Sequence, residues 1–263
     1  MEQNPKNSHP ALLTIICPMK NEEKNLAAFF ARLVPVLESV ADAYEILCIN
    51  DGSQDNTLAY LLKEKEINPN ITIADLSRNF GKEAALTCGI ELAKGDVVIP
   101  IDADLQHPPE TIIEMINCWQ KGYEVVLARR QNRKSEGWIR RRTAGWFYKL
   151  QNKISEVHIP ADVGDFRLMD RKVIEALKKL PERRRFMKGL FAWVGFRQTT
   201  ITFICEPRFA GASNFSGWKL CDCPTQCTIV FKWNIHHLVI LLAFQRHRSK
   251  IYAVRTCLRI CWL

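Results

Sequence analysis

Apolar and polar positions change period repeatedly along the first half of the chain. Leu12 to Cys17 is a short apolar, β-branched run closed by Pro18, which reads as a strand. From Glu22 to Val40 the apolar positions shift to helical spacing, with Leu26, Phe29/Phe30, Leu33, Val36/Leu37 and Val40 on one face. Tyr44 to Ile49 is strand-like again and stops at the turn signal Asn50-Asp51-Gly52. Thr57 to Lys65 reads as helix, Ile71 to Asp75 as strand and Lys82 to Ala93 as helix. Val97 to Ile101 is a fourth strand, Pro109 to Lys121 a helix and Glu124 to Ala128 a fifth strand. Repeated β–α units predict a mostly parallel α/β sheet with helices on both faces. Ligands in such sheets bind beyond the carboxyl ends of the strands. Four polar clusters fall at those ends: Pro18 to Glu22, Asn50 to Ser53, Asp75 to Lys82, and Asp102 to Asp104.

After Arg129 the pattern changes. Gly137 to Ile154 reads as a basic amphipathic helix, with Ile139, Thr143, Trp146/Phe147, Leu150 and Ile154 on one face. Arg140, Arg141, Arg142, Lys149 and Lys153 cover much of the rest, a composition suited to a membrane interface. An ordinary surface helix packing its stripe on the sheet reads equally well.

The net charge of +9 over 263 residues conceals a division. Residues 1–128 carry ten Lys/Arg against 19 Asp/Glu, and residues 129–263 carry 27 against nine. A basic second half predicts an anionic partner such as lipid, phosphate or nucleic acid. Apolar and charged shares of 47 % and 25 % are those of a globular chain and exclude disorder. Cys17, Cys48, Cys88, Cys118 and Cys205 lie mostly in apolar runs and read as buried hydrophobes, not a disulfide frame. Met1 to Pro10 is polar, so no secretory leader is expected, and no run of 18 apolar residues occurs.

The sharpest chemical feature is Asp102-Ala103-Asp104 with Gln106 two residues on, at the end of an apolar strand. If the strand continues, alternation turns both carboxylates to one side. Paired hard oxygens favour Mg²⁺ or Mn²⁺, which would neutralise a diphosphate leaving group. Asp51 could accept from a uracil imide or ribose hydroxyls, or simply shape a turn. Ser77 to Lys82 offers two cations and a glycine near a helix start, which suits an anion. His107, before Pro108-Pro109, reads as a loop residue.

In order and spacing these clusters resemble the family-2 glycosyltransferases of the GT-A, Rossmann-like fold. Val163 to Met169, Phe186 to Leu190 and Trp193-Val194-Gly195 look like the polyprenyl-phosphate hexose synthases, which include dolichyl-phosphate mannose synthase. Asn79 to Glu83, Trp146 to Leu150 and Arg208 to Ser213 add similarity to the prophage-type bactoprenol glucosyltransferases. The resemblance covers residues 11 to about 219 and implies a catalytic domain over residues 1–215, with 136–154 as the interface helix. It implies that Pro18, Asn21 and Glu22 line the nucleotide site with Lys82, and that Asp51 and Ser53 hold uridine. Asp102, Asp104 and Gln106 would hold the metal and donor diphosphate. Asp165 would be the catalytic base or an orienter of Arg167. Arg208 and Ser213 would belong to a segment closing over the donor phosphates. Arg129, Arg141 and Arg167 would grip the lipid phosphate. Gly145 stands where the family carries a hydroxyl.

The implied reaction moves a hexose, glucose by the nearest similarity, from a UDP-sugar to undecaprenyl phosphate with inversion. It would occur at the cytoplasmic face of the bacterial inner membrane and serve O-antigen or cell-surface glycan modification. A phosphate monoester has a second pKa of about 6, so its oxygen is already anionic and needs little help from a base. Positioning and charge stabilisation then carry the rate. The resemblance leaves a homo-oligomer open. Nucleic acid ranks below lipid as the anionic partner, since Trp138 and Trp146 are only weakly suited to base stacking.

At Gly217 to Leu220 the resemblance stops, where relatives continue into transmembrane segments. Residues 216–263 form an atypical Cys/His-rich tail, with Asp222 the single acidic residue from 221 onward. A frameshifted tail is the expectation, testable by translating the other two frames after codon 220. A zinc site at Cys221, Cys223, Cys227 and His236 is the lesser reading, because the spacing matches no common finger. The competing function is an inactive enzyme remnant or a non-catalytic basic protein binding membrane or nucleic acid.

Overall fold

The computed structural model describes residues 9–131, 163–180, 190–191 and 194–207. The segment 137–154 expected to form the basic helix, Arg208, Ser213 and the tail lie outside the described residues.

Seven strands form one sheet: β1 (Leu13–Met19), β2 (Tyr44–Asn50), β3 (Ile71–Asp75), β4 (Val97–Pro100), β5 (Val125–Arg130), β6 (Val163–Asp170) and β7 (Gln198–Phe203). Their order is β3-β2-β1-β4-β6-β5-β7. Among the described residues five helices accompany them: α1 (Glu23–Val40), α2 (Thr57–Ile67), α3 (Lys82–Leu92), α4 (Thr111–Gln120) and α5 (Arg171–Lys178). β1 runs parallel to β2 and β4, and β3 parallel to β2. β5 and β7 are also parallel. β6 alone is inverted, antiparallel to both β4 and β5.

Strand alternation builds a core on each face. Leu13, Ile15, Cys17 and Met19 of β1 pack with the apolar faces of α1 and α4, while Ile16 packs with Ala85, Leu86 and Ile90 of α3. β2 divides likewise, with Ile46 and Cys48 on the first side and Leu47 and Ile49 on the second. Central strands buried on both faces are the reason they read as continuous apolar runs. Gly89 lets α3 lie close to β1, since a Cβ there would collide with the Ile16 side chain.

Two sequence expectations need correction. β1 does not stop at Pro18 but continues to Met19. Ile16 turns its carbonyl toward β4, accepting from Ile101 N–H at 2.9 Å, so Pro18, two residues on, faces the same side. β4 no longer pairs there, its last partners being Ile16 and Pro100, so the missing proline N–H costs no ladder bond. β4 in turn ends at Pro100, not Ile101, and Ala103 to His107 is turn and bend. Alternation along a strand therefore does not set the directions of Asp102 and Asp104. Pro35 sits inside α1 without ending it, because the residue lies on the exposed face and the carbonyl it frees can reach water.

Candidate functional site

The carboxyl ends of β1, β2, β3, β4 and β5 share one rim of the sheet, and β6, being inverted, brings its first residues there. Arg129 is in register with Val163, so Gly164, Asp165 and Phe166 begin at the end where the parallel strands finish.

The β1–α1 and β2–α2 loops are stitched together. Asn21, in the left-handed region at φ 55°, donates its N–H to Ser53 Oγ at 3.0 Å, and its Oδ1 accepts from Gln54 N–H at 2.8 Å. Glu22 donates its N–H to Thr57 Oγ1 at 3.0 Å, and its carboxylate accepts from Asn25 Nδ2 at 2.5 Å. Asn50 reaches across to Asp75, Nδ2 to Oδ1 at 2.7 Å. Asp51 is buried and shapes the neighbouring loop: Oδ1 accepts from Phe80 N–H at 2.6 Å and Oδ2 from Gly81 N–H at 2.9 Å. Gly52, at φ 63°, passes against that same loop so closely that a Cβ would lie 2.5 Å from the Asn79 nitrogen. Asn21, Glu22 and Ser53 thus belong to two interlocked loops, and the buried Asp51 ties the loop before α3 to them.

Lys82, the first residue of α3, joins three elements. Its Nζ lies 2.7 Å from Asp102 Oδ1, 2.8 Å from Asp102 Oδ2 and 3.0 Å from Asp165 Oδ2. Burial works against the ammonium charge, but Asp102 and then Asp165 outweigh it and hold Lys82 above the ordinary lysine value. Pro18, Asp102, His107, Asp165 and Phe166 line the small cleft beside it. Asp104 is buried and accepts from Gln106 N–H at 3.1 Å. Between them Leu105 adopts φ 59°, a sparsely populated conformation for leucine that turns the chain. The Gln106 carbonyl accepts from Glu206 N–H at 3.3 Å, which ties the segment after β7 to this turn.

His107 has more structure around it than a surface loop residue. It is buried between Phe166 and Phe203, with ring centroids 5.0 and 5.4 Å away. Burial pushes its imidazole below the ordinary value, so the ring is held neutral. Its position before two prolines gave no sign of this; only the pairing of β6 with β5 and of β5 with β7 brings the two phenylalanines to it.

Arg167 is 4 % exposed. Its Nη2 donates to the Gly164 carbonyl at 2.6 Å and its guanidinium lies 4.1 Å from the Phe191 ring centroid. Burial lowers its pKa to about 10, with Asp165 opposing the shift. Covered in this way, Arg167 supports the β6 entry beneath Asp165. Arg129 is exposed at the end of β5. Arg141, Arg208 and Ser213 lie outside the described residues. The buried thiols of Cys17 and Cys48 are pushed up by burial, which suits packing and not nucleophilic work.

Among the described residues no three His, Cys, Asp or Glu side chains form a ready-made metal cage. That donor set still suits Mg²⁺ or Mn²⁺ delivered with a diphosphate, because such ions take one or two carboxylates and complete their shell with phosphate oxygens and water. The lysine shared by Asp102 and Asp165 marks a locus where carboxylates converge on a cation.

The sequence profile described as glycosyl transferase family 2 matches residues 14–178, which contain the whole of this rim. The chain belongs to glycosyl transferase family 2. Among its relatives, an uncharacterized glycosyltransferase of Synechocystis sp. is 55 % identical over 208 residues, covering 79 % of this chain and 65 % of the relative. The bactoprenol glucosyl transferase of Shigella phage SfV is 45 % identical over 208 residues, covering 79 % and 68 %. The chain thus spans under two thirds of the first relative's length. In three dimensions the family-2 chain is similar to glucosyl-3-phosphoglycerate synthase of Mycobacterium tuberculosis, solved with Mn²⁺, UDP-glucose and phosphoglyceric acid. The TM-score is 0.54 at 15 % identity, with 83 % of this chain and 80 % of that one covered. The fold is GT-A. No helix among the described residues is long and apolar enough to cross a membrane.

Proposed function

We propose that this family-2 chain transfers a hexose, glucose first among the candidates, from a UDP-sugar to undecaprenyl phosphate with inversion at the anomeric carbon. The observation that carries the reading is the convergence of Asp102 and Asp165 on one ammonium at the carboxyl rim, beside the interlocked loops of Asn21 and Ser53. The phage relative bears the name bactoprenol glucosyl transferase, and the Mycobacterium structure holds UDP-glucose with Mn²⁺, which supports both the acceptor and the donor proposed.

In this reading an acceptor phosphate oxygen attacks the anomeric carbon, the bond from that carbon to the β-phosphate oxygen breaks, and UDP leaves. Asp51 holds the Phe80–Gly81 backbone, and the Asn21–Ser53 hydrogen bond would present a fixed edge to the nucleotide. Asp102, with Asp104 and Gln106 on the same turn, would hold Mg²⁺ or Mn²⁺, whose charge would stabilise the departing diphosphate. Asp165 faces the same point from β6, where it can orient the acceptor or take a proton from it. Lys82 supplies a cation within reach of both carboxylates. Arg129 stands exposed at the rim for the lipid phosphate, and Arg141, Arg208 and Ser213 complete the proposed contacts. Because the acceptor lipid resides in a bilayer, the chain would work at the cytoplasmic face of the inner membrane.

Incorporation of labelled hexose from UDP-glucose into undecaprenyl phosphate, presented in vesicles, tests the proposal. Lipid-linked product that is lost with Asp102→Asn supports it. Absence of product with every UDP-hexose and the full-length chain overturns it.

A further inference from the structure

Both oxygens of Asp102 are engaged by the same Lys82 ammonium, at 2.7 and 2.8 Å. A divalent ion bonded to Asp102 would sit about 2.1 Å from one of those oxygens. It and the ammonium would then crowd one carboxylate and repel each other, so they compete for it. Asp165 extends the contest to the opposite side, 3.0 Å from the same nitrogen. Lys82 is not walled in: its side chain is 39 % exposed, and the space beside Gly81, which precedes it, is open. Lys82 also opens α3, an eleven-residue helix whose first N–H groups and dipole favour an anion.

We propose that Lys82 is the resident counter-ion of the Asp102–Asp165 pair and that it couples entry of the divalent metal to arrival of the nucleoside diphosphate. The metal alone must draw Asp102 away from an ammonium that would be left with Asp165 only. With the diphosphate present at the start of α3, the ammonium exchanges Asp102 for a phosphate oxygen, and the carboxylate is released to the metal. Coupling of this kind is reciprocal, so metal must strengthen nucleotide binding by the same factor. Lys82 thereby offsets half the charge of the two carboxylates and keeps them close together without committing the site to a stray ion. This inference rests on the reading of Asp102 as a metal ligand.

The test is Mn²⁺ binding followed by electron paramagnetic resonance, with and without UDP, on the full chain and on Lys82→Gln, Lys82→Met, Lys82→Arg and Asp102→Asn. Circular dichroism reports that each variant is folded. The neutral variants are expected to bind Mn²⁺ alone about tenfold more tightly than the parent and to lose most of the enhancement by UDP, while Lys82→Arg keeps it. Folded Lys82→Gln and Lys82→Met that bind Mn²⁺ alone no more tightly than the parent overturn the proposal, even if Asp102→Asn abolishes binding and so upholds the ligand reading. Asp102→Asn that binds Mn²⁺ like the parent removes the ligand reading, and the proposal with it.

Discussion

Single residues on the rim are constrained in different ways. Gly52 combines a φ of 63° with backbone of Arg78 and Asn79 where a Cβ would stand. Neither restraint can be relieved by turning a side chain, so Gly52→Ala should cost about 2–3 kcal/mol, read as a lowered urea midpoint with unchanged slope. Asp165→Asn keeps the shape of its side chain and weakens its hold on Lys82. It should lower the initial rate of lipid-linked product formation by about a hundredfold or more if Asp165 meets the acceptor, with unfolding little altered. The closeness of Asp102, Asp104 and Gln106 could be read from their spacing, but their directions could not, because Leu105 turns the chain where a strand was expected to run on. Nor could the partnership of Lys82 with Asp165 be read. The two are far apart in the chain, and their contact depends on a strand that runs against its neighbours.

At the scale of elements, α4, β6 and α5 meet through one buried pair. Trp119 Nε1 donates to Asp170 Oδ2 at 2.8 Å, and Asp170 Oδ1 caps α5 by accepting from Lys172 N–H at 3.1 Å. Trp119→Phe keeps most of the packing but takes a donor from a buried carboxylate. It should destabilise the fold by about 1–3 kcal/mol, with Trp119→Tyr no better, measured by denaturant unfolding. The nine elements from β1 to β5 were legible because both-face burial and amphipathic stripes leave strong periodic signals. β6 was recognised as a motif but not as a strand, since Gly164, Asp165 and Arg167 interrupt its apolar run. α5 is only eight residues long, and β7 exposes alternate polar positions. Those elements form because neighbours already in place pair with them or cover them, and that information is not local.

At the scale of the whole molecule, Arg32 ties α1 to the start of α4 and to the segment after β7. It holds Glu110 at 2.9 Å and Glu206 at 2.8 Å. The hydrogen bond from Arg32 lowers the Glu206 pKa below its ordinary 4.5. A depressed carboxyl contributes stability that is complete above the ordinary value and is lost as pH falls through the folded one. Partial exposure keeps the contribution within about 1 kcal/mol, so Arg32→Ala should lower Tm slightly at pH 7, and the difference from the parent should shrink below pH 4.5. The division of charge between an acidic first half and a basic second half operates over the whole chain. Binding to vesicles rich in anionic lipid should therefore weaken steeply between low and physiological salt, while neutral vesicles bind little, as measured by co-sedimentation.

The inverted course of β6 carries an evolutionary corollary. Asp165 is the third residue of β6 and lies between Val163 and Arg167, which pair with Arg129 and Leu127 of β5, so its place is held from both sides and not by how the chain arrives. Closure entropy grows only slowly with loop length. On the proposed function, sequence between Arg130 and Val163 could therefore be lengthened, shortened or exchanged to suit a different lipid while the carboxylate stays at its station, which would let acceptor choice diversify without re-inventing the donor site.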